Sequence, residues 1–212
     1  MNKTENKSNT IKLLAIMFML IDHIGAVFFP NQKIFRIIGR LSFPLFAYQL
    51  TIGFKHTSDL EQYMLRLWLF SIVSQIPYVL LFKTTNLNIL FTLFLALFVL
   101  KEIEEENYYW ILLGTLLAEL LSMDYAAYGV LIVIYFYYFH DYKFKNILIF
   151  IAINIIYTIF NPSSPQFFSI FSLPLIYLID YLPEIRINKK TFYLFYPAHL
   201  TILLIIKYVL EV

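Results

Sequence analysis

The feature that most constrains this chain is its first apolar run, Ile11 to Pro30, which reads IKLLAIMFMLIDHIGAVFFP. A helix of about 20 residues, rising 1.5 Å per residue, crosses the ~30 Å hydrocarbon core of a bilayer. The run nevertheless carries Lys12 at its entrance and the adjacent pair Asp22 and His23 about two-thirds of the way along. Ionisable groups at membrane depth are costly and are read first as functional positions with a partner to be named.

The pattern continues downstream. Apolar segments at roughly 11–29, 34–54, 63–82, 87–101, 109–123, 126–140, 146–160, 166–182 and 191–210 predict an all-α, polytopic membrane helix bundle of about nine transmembrane helices. Eight to ten crossings satisfy the same pattern, because the fourth to seventh segments fall short of a full span. Either they extend into the interface or a pair of them forms a re-entrant hairpin. Composition agrees: 14% of residues are charged, against about 25% in soluble domains, and mean hydropathy is +0.72. The runs are continuous instead of alternating, which excludes a transmembrane β-barrel. Residues 1–10 are expected to form a disordered polar tail, and residues 11–212 a single transmembrane domain. The first run is read as a retained span, since Asp22 and His23 interrupt it and no small-residue cleavage site follows.

Loop charge sets the expected orientation. With nine crossings, Lys3, Lys7, Lys12, Lys55, Arg66, Lys101, Lys143, Lys145, Arg186, Lys189 and Lys190 fall on one side, and Lys33, Arg36, Lys83 and Lys207 on the other. The N-terminus is therefore expected in the cytoplasm of a cell whose cytoplasmic membrane holds the chain, and a bacterial cell is expected. A net charge of +2 argues against nucleic acid as a partner. Without cysteine, thiolate nucleophiles, disulfides and Fe–S clusters are excluded.

By this count Asp22, His23, Arg36, Arg40, Gln75 and Glu119 lie in the outer half of the bilayer, Asp124 at its outer mouth, and His199 near mid-membrane. Arg36 and Arg40, four apart, share a helix face. Asp22 either orients His23 or pairs with one of the arginines, because neighbours on a helix project about 100° apart. Structural ion pairs alone would also explain the set, although buried pairs rarely stabilise more than apolar packing does. His23, with a pKa near neutrality beside a carboxylate, is the candidate general base. Lys12 and His23 are eleven residues apart, which places them on one face about 16–17 Å apart along the axis. A cation at the cytoplasmic mouth, with Lys55 and Arg66 near the same surface, suits the anionic end of a long cofactor arm; Lys12 as a simple snorkelling flank is the plainer alternative. His56 and His140 sit among interfacial polar residues, and the tyrosine-rich patches are expected to form interfacial belts.

The segments KLLAIMFMLIDHIGAVFFP, RIIGRLSFPLFAYQL, SQIPY and FYLFYPAHL, in that order, resemble the TraX family, named for a conjugal-transfer protein that acetylates the N-terminus of pilin. In layout the chain is also similar to the larger membrane acyltransferases of family three. These share a basic residue and a histidine separated by ten positions, as Lys12 and His23 are. The resemblance implies transfer of an acetyl or other acyl group from cytosolic acyl-CoA to an acceptor peptide, glycan or polymer at or beyond the membrane, with lipid around it. It implies His23 in the catalytic position with Asp22 beside it. Arg36, Arg40, Gln75, Glu119, Tyr196 and His199 are then candidates for substrate or oxyanion contacts, and Lys12, Lys55 and Arg66 for the donor. Acetyl-CoA is the expected donor substrate, and no metal is expected, since no H-E-x-x-H spacing occurs. A proton-coupled transporter or flippase built on Asp22, His23, Arg40 and Glu119, or a non-catalytic pilus or secretion component, are the rival classes.

Overall fold

The computed structural model describes residues 3–139, 144–178, 181, 183, 185 and 189–210; apart from one isolated bridge, Leu87 to Met123, its regular structure is helical. The helices are α1 (Lys3–Phe28), α2 (Lys33–Gly39), α3 (Ser42–His56), α4 (Leu60–Phe82), α5 (Ile89–Glu104), α6 (Tyr109–Leu120), α7 (Ala126–Tyr138), α8 (Phe144–Phe160), α9 (Ser172–Tyr177) and α10 (Lys189–Val209), with a 3-10 segment at Pro165–Phe171. His140, Lys143 and Arg186, which the sequence places in loops, lie outside the described residues.

Four stretches among the described residues are long and apolar enough to cross a membrane: Asn9–Phe28, Lys33–His56, Leu60–Phe82 and Phe192–Val209. Shorter apolar helices accompany them, and their surfaces suit lipid. On α6, Leu112, Leu113, Leu116 and Leu120 are exposed, as are Ile155, Ile156, Ile159 and Phe160 on α8. In water each such side chain forgoes about 1.5–3 kcal/mol of burial, whereas in a bilayer the same surface is solvated by acyl chains. The protein is a helical, membrane-type fold.

Three expectations change. Residues 3–10 are not a tail but the start of α1, and Asn9 and Thr10 are buried. Thr10 Oγ1 donates to the Pro183 carbonyl at 2.5 Å. The second segment is one stretch with a break at Arg40 and Leu41, because Pro44 cannot donate to the Arg40 carbonyl four residues back. The eighth segment, expected to run from 166 to 182, is a 3-10 turn followed by the six-residue α9. Pro174 removes a helical donor there, and the Ser172 hydroxyl turns back to the Ser169 carbonyl at 2.6 Å.

Two compact units interleave along the sequence: Met1–Gln49 with Phe139–Phe192, and Leu50–Tyr138 with Tyr193–Glu211. In the first, α1 and α2 cross closely on two glycines. A Cβ on Gly25 would lie 2.1 Å from the Phe35 Cβ, and one on Gly39 would lie 2.1 Å from Asp22 Oδ1. Hydrogen at both positions lets the backbones approach as small residues do in membrane helix pairs. Ser42 Oγ fastens α3 to the Ala15 carbonyl at 2.8 Å. The 3-10 segment is held by α8, where Ser169 Oγ donates to Asn154 Oδ1 at 2.6 Å with both side chains wholly buried.

In the second unit α5 is central, packed against α4, α6 and α7, with Leu93, Ala96, Leu97, Val99 and Leu100 buried. Asn88 caps α5 by accepting from the Leu90 amide at 3.0 Å. The loop after α6 joins this cap region, since the Asp124 amide donates to the Leu87 carbonyl at 2.8 Å and Thr92 Oγ1 to the Asp124 carbonyl at 2.6 Å.

Candidate functional site

Asp22 is the centre of the first unit's polar site. The glycine crossing brings it beneath α2, whose two arginines both reach it. Arg36 Nη1 donates to Asp22 Oδ2 at 2.5 Å, and Arg40 Nη2 to Oδ1 and Oδ2 at 2.8 and 2.9 Å. Arg40 also donates from Nε to the Arg36 carbonyl at 3.3 Å and from Nη1 to Gln166 Oε1 at 3.4 Å. A buried carboxylate that accepts three charge-assisted hydrogen bonds is compensated as burial requires. Of the partners the sequence offered, Asp22 pairs with both arginines.

His23 is half-buried on α1, one position after Asp22 and so about 100° around the helix from it. Lys12, eleven residues earlier, is half-buried with its Nζ 5.4 Å from the centroid of the Phe192 ring, a cation–π contact in the same unit. The predicted grouping of Lys12, Asp22, His23, Arg36 and Arg40 thus falls within one unit, with the two arginines in contact with Asp22.

The remaining candidates belong to the second unit, and most serve its own backbone. Gln75 Oε1 accepts from the Asn88 amide at 3.0 Å and from Asn88 Nδ2 at 2.8 Å, while its Nε2 donates to the Asn86 carbonyl at 2.8 Å. It locks the turn between α4 and α5. Glu119 Oε1 accepts from the Ala127 amide at 3.2 Å at the start of α7 and is exposed. Lys55 Nζ donates to the Tyr137 carbonyl at 3.2 Å and lies 5.2 Å from that ring's centroid. Tyr137 in turn donates its hydroxyl to Glu104. Arg66 stacks on Tyr193 at 5.9 Å and donates to Gln62 at 3.4 Å. Tyr196 and His199 are buried on α10; His199 stacks on Phe195 at 4.6 Å, with Nδ1 2.8 Å from the Phe195 carbonyl.

One participant escaped the sequence reading. Gln166 is fully buried and reaches Arg40 from 126 positions away. Its only local signal is an amide side chain directly after Pro165 in a segment otherwise read as apolar helix. Among the described residues no group of three or more His, Asp or Glu is placed to hold a metal ion.

A family model described as TraX protein matches residues 7–207. A relative in Dichelobacter nodosus, named probable fimbrial assembly protein FimC, serogroup H1, is 32% identical over 106 residues, covering 42% of this chain and 43% of that protein. An uncharacterized protein of Rickettsia prowazekii (strain Madrid E) is 36% identical over 91 residues, covering 42% of this chain and 34% of the relative. In both cases the match spans less than half of the relative's length. No solved structure matches. With the family model covering nearly the whole chain, the protein belongs to the TraX family.

Proposed function

We propose that this chain is an integral membrane acyltransferase that moves an acetyl group from cytosolic acetyl-CoA to an acceptor at the outer side of the membrane. The observation that carries the reading is the family match over residues 7–207, in a family associated with pilin acetylation. The relative named as a fimbrial assembly protein favours a pilin-type peptide amine as the acceptor. Lys3, Lys7 and Lys12 before the first span favour a cytoplasmic N-terminus.

In this reading His23 takes a proton from the acceptor amine or hydroxyl as it attacks the thioester carbonyl. The tetrahedral oxyanion collapses, the C–S bond breaks, and the thiolate leaves with the proton that His23 returns. The products are the acetylated acceptor and free CoA. Asp22 holds the two arginines, whose positive charge offsets developing negative charge nearby. Lys12, on the same face of α1 about 16–17 Å away, is assigned to the phosphates of the donor, a separation comparable to an extended pantetheine arm. Lys55 and Arg66 make contacts of their own within the second unit.

The test is transfer of label from acetyl-CoA by protein purified in detergent, with a pilin-type peptide as acceptor. His23→Ala is expected to abolish transfer while keeping the parent's thermal unfolding profile. Full activity in that variant would remove His23 from the mechanism. Label that reaches no peptide, glycan or polymer offered, while ions move across vesicles, would favour the transporter class instead.

A further inference from the structure

Arg36 and Arg40 lie four residues apart, yet their guanidinium groups are in different states. Arg40 commits all three nitrogens, Nε to the Arg36 carbonyl, Nη1 to Gln166 and Nη2 to Asp22, and its side chain is 9% exposed. Arg36 is 36% exposed and uses Nη1 alone, toward Asp22. Its Nε and Nη2 donate to nothing among the described residues. Those two nitrogens form one edge of the guanidinium plane, with the spacing that meets two oxygens of a carboxylate or phosphate. Lys33, exposed one turn earlier on α2, adds positive charge at the same end.

Gln166 is what makes the difference. Its segment is rigidly seated, because Ser169 is bonded to Asn154 on α8 and Ser172 to the Ser169 carbonyl. Gln166 therefore presents an acceptor to Arg40 Nη1, so that each guanidinium nitrogen of Arg40 has a partner within the protein. Arg40 then fixes Asp22, and Asp22 fixes Arg36 by a single nitrogen.

We propose that the two arginines divide the work: Arg36 binds an oxyanion group, carboxylate or phosphate, on its Nε–Nη2 edge, and Gln166 is a positioning residue that holds Arg40 and so aims Asp22 at Arg36. This deepens the acyl-transfer reading by giving the ligand an anionic group beside the reacting centre, and it rests on that reading only for what carries the group.

Phenylglyoxal labelling of the full-length protein in lipid nanodiscs, read by peptide mass spectrometry, tests it without acetyl-CoA. Arg36 is expected to be labelled several-fold faster than Arg40. Gln166→Leu should raise labelling at Arg40 several-fold, whereas Gln166→Glu, which keeps the acceptor oxygen, should leave it low. Inorganic phosphate or acetate should protect Arg36 in phosphatidylcholine discs if the anion is soluble. Phosphatidylglycerol discs should protect it without added salt if the anion is a lipid headgroup. Equal labelling of the two arginines, unchanged Arg40 labelling in Gln166→Leu, or no protection of Arg36 by any of these anions overturns the proposal. Loss of the acyl-transfer reading would leave the labelling pattern intact, so the two failures are distinguishable.

Discussion

Asp22→Asn tests the polar site most directly. The substitution keeps the shape of the side chain but removes its charge and turns one acceptor oxygen into an NH2 donor. Arg36 Nη1 approaches Oδ2 at 2.5 Å, and Arg40 Nη2 approaches both oxygens, so either amide orientation sets a donor against a guanidinium. Arg36, with 36% of its side chain exposed, can turn its head toward the polar interface and loses little. Arg40, at 9%, has no such exit, and the penalty concentrates there. Removing one partner of a buried pair costs about 3–5 kcal/mol, and partial release through Arg36 puts the expectation near ~3 kcal/mol. In a chain of this length each kcal/mol moves the unfolding midpoint by about 2–4 °C, which predicts a fall of about 6–12 °C. Helical ellipticity during heating in detergent measures it. The double variant Asp22→Asn with Arg40→Gln should recover part of the loss, because the uncompensated charge is gone. A single variant within about 0.5 kcal/mol of the parent, or a double variant no better than the single, would refute this account of the site.

Two further variants address the scaffold. Gly39→Ala places a methyl 2.1 Å from Asp22 Oδ1, so α1 and α2 must separate; a loss of about 1–3 kcal/mol is expected in the same melt, and parent-like stability would show that the crossing is looser than described. Gln75→Ala leaves the Asn88 amide and Nδ2 each without an acceptor that the parent supplies, for an expected loss of about 1–3 kcal/mol with hydrogen exchange fastest at the start of α5.

How much of the site was legible varied with how local each partner is. Asp22 stood out because a carboxylate inside an apolar run is conspicuous by itself, and the spacing of Arg36 and Arg40 declared a shared face. Gln75 and Glu119 stood out as polar side chains in apolar segments, and each accepts a local backbone amide. A polar side chain in an apolar run signals that it needs a partner without saying whether that partner is a ligand or the nearest backbone amide. Gln166 was overlooked because its importance comes from a contact across 126 positions, through a segment whose prolines and serines convert an apparent span into a 3-10 turn.

The sequence by itself determined the class of protein, the helical state of its long segments and the identity of the expensive side chains. Those properties depend on composition and on periodicity over a few turns. Tertiary structure decided which charges meet, where the second segment bends and which glutamine holds which arginine. The crossing of α1 and α2 is set by hydrogen atoms at Gly25 and Gly39, and a change in it of an ångström or two would separate Asp22 from its partners without altering any local pattern.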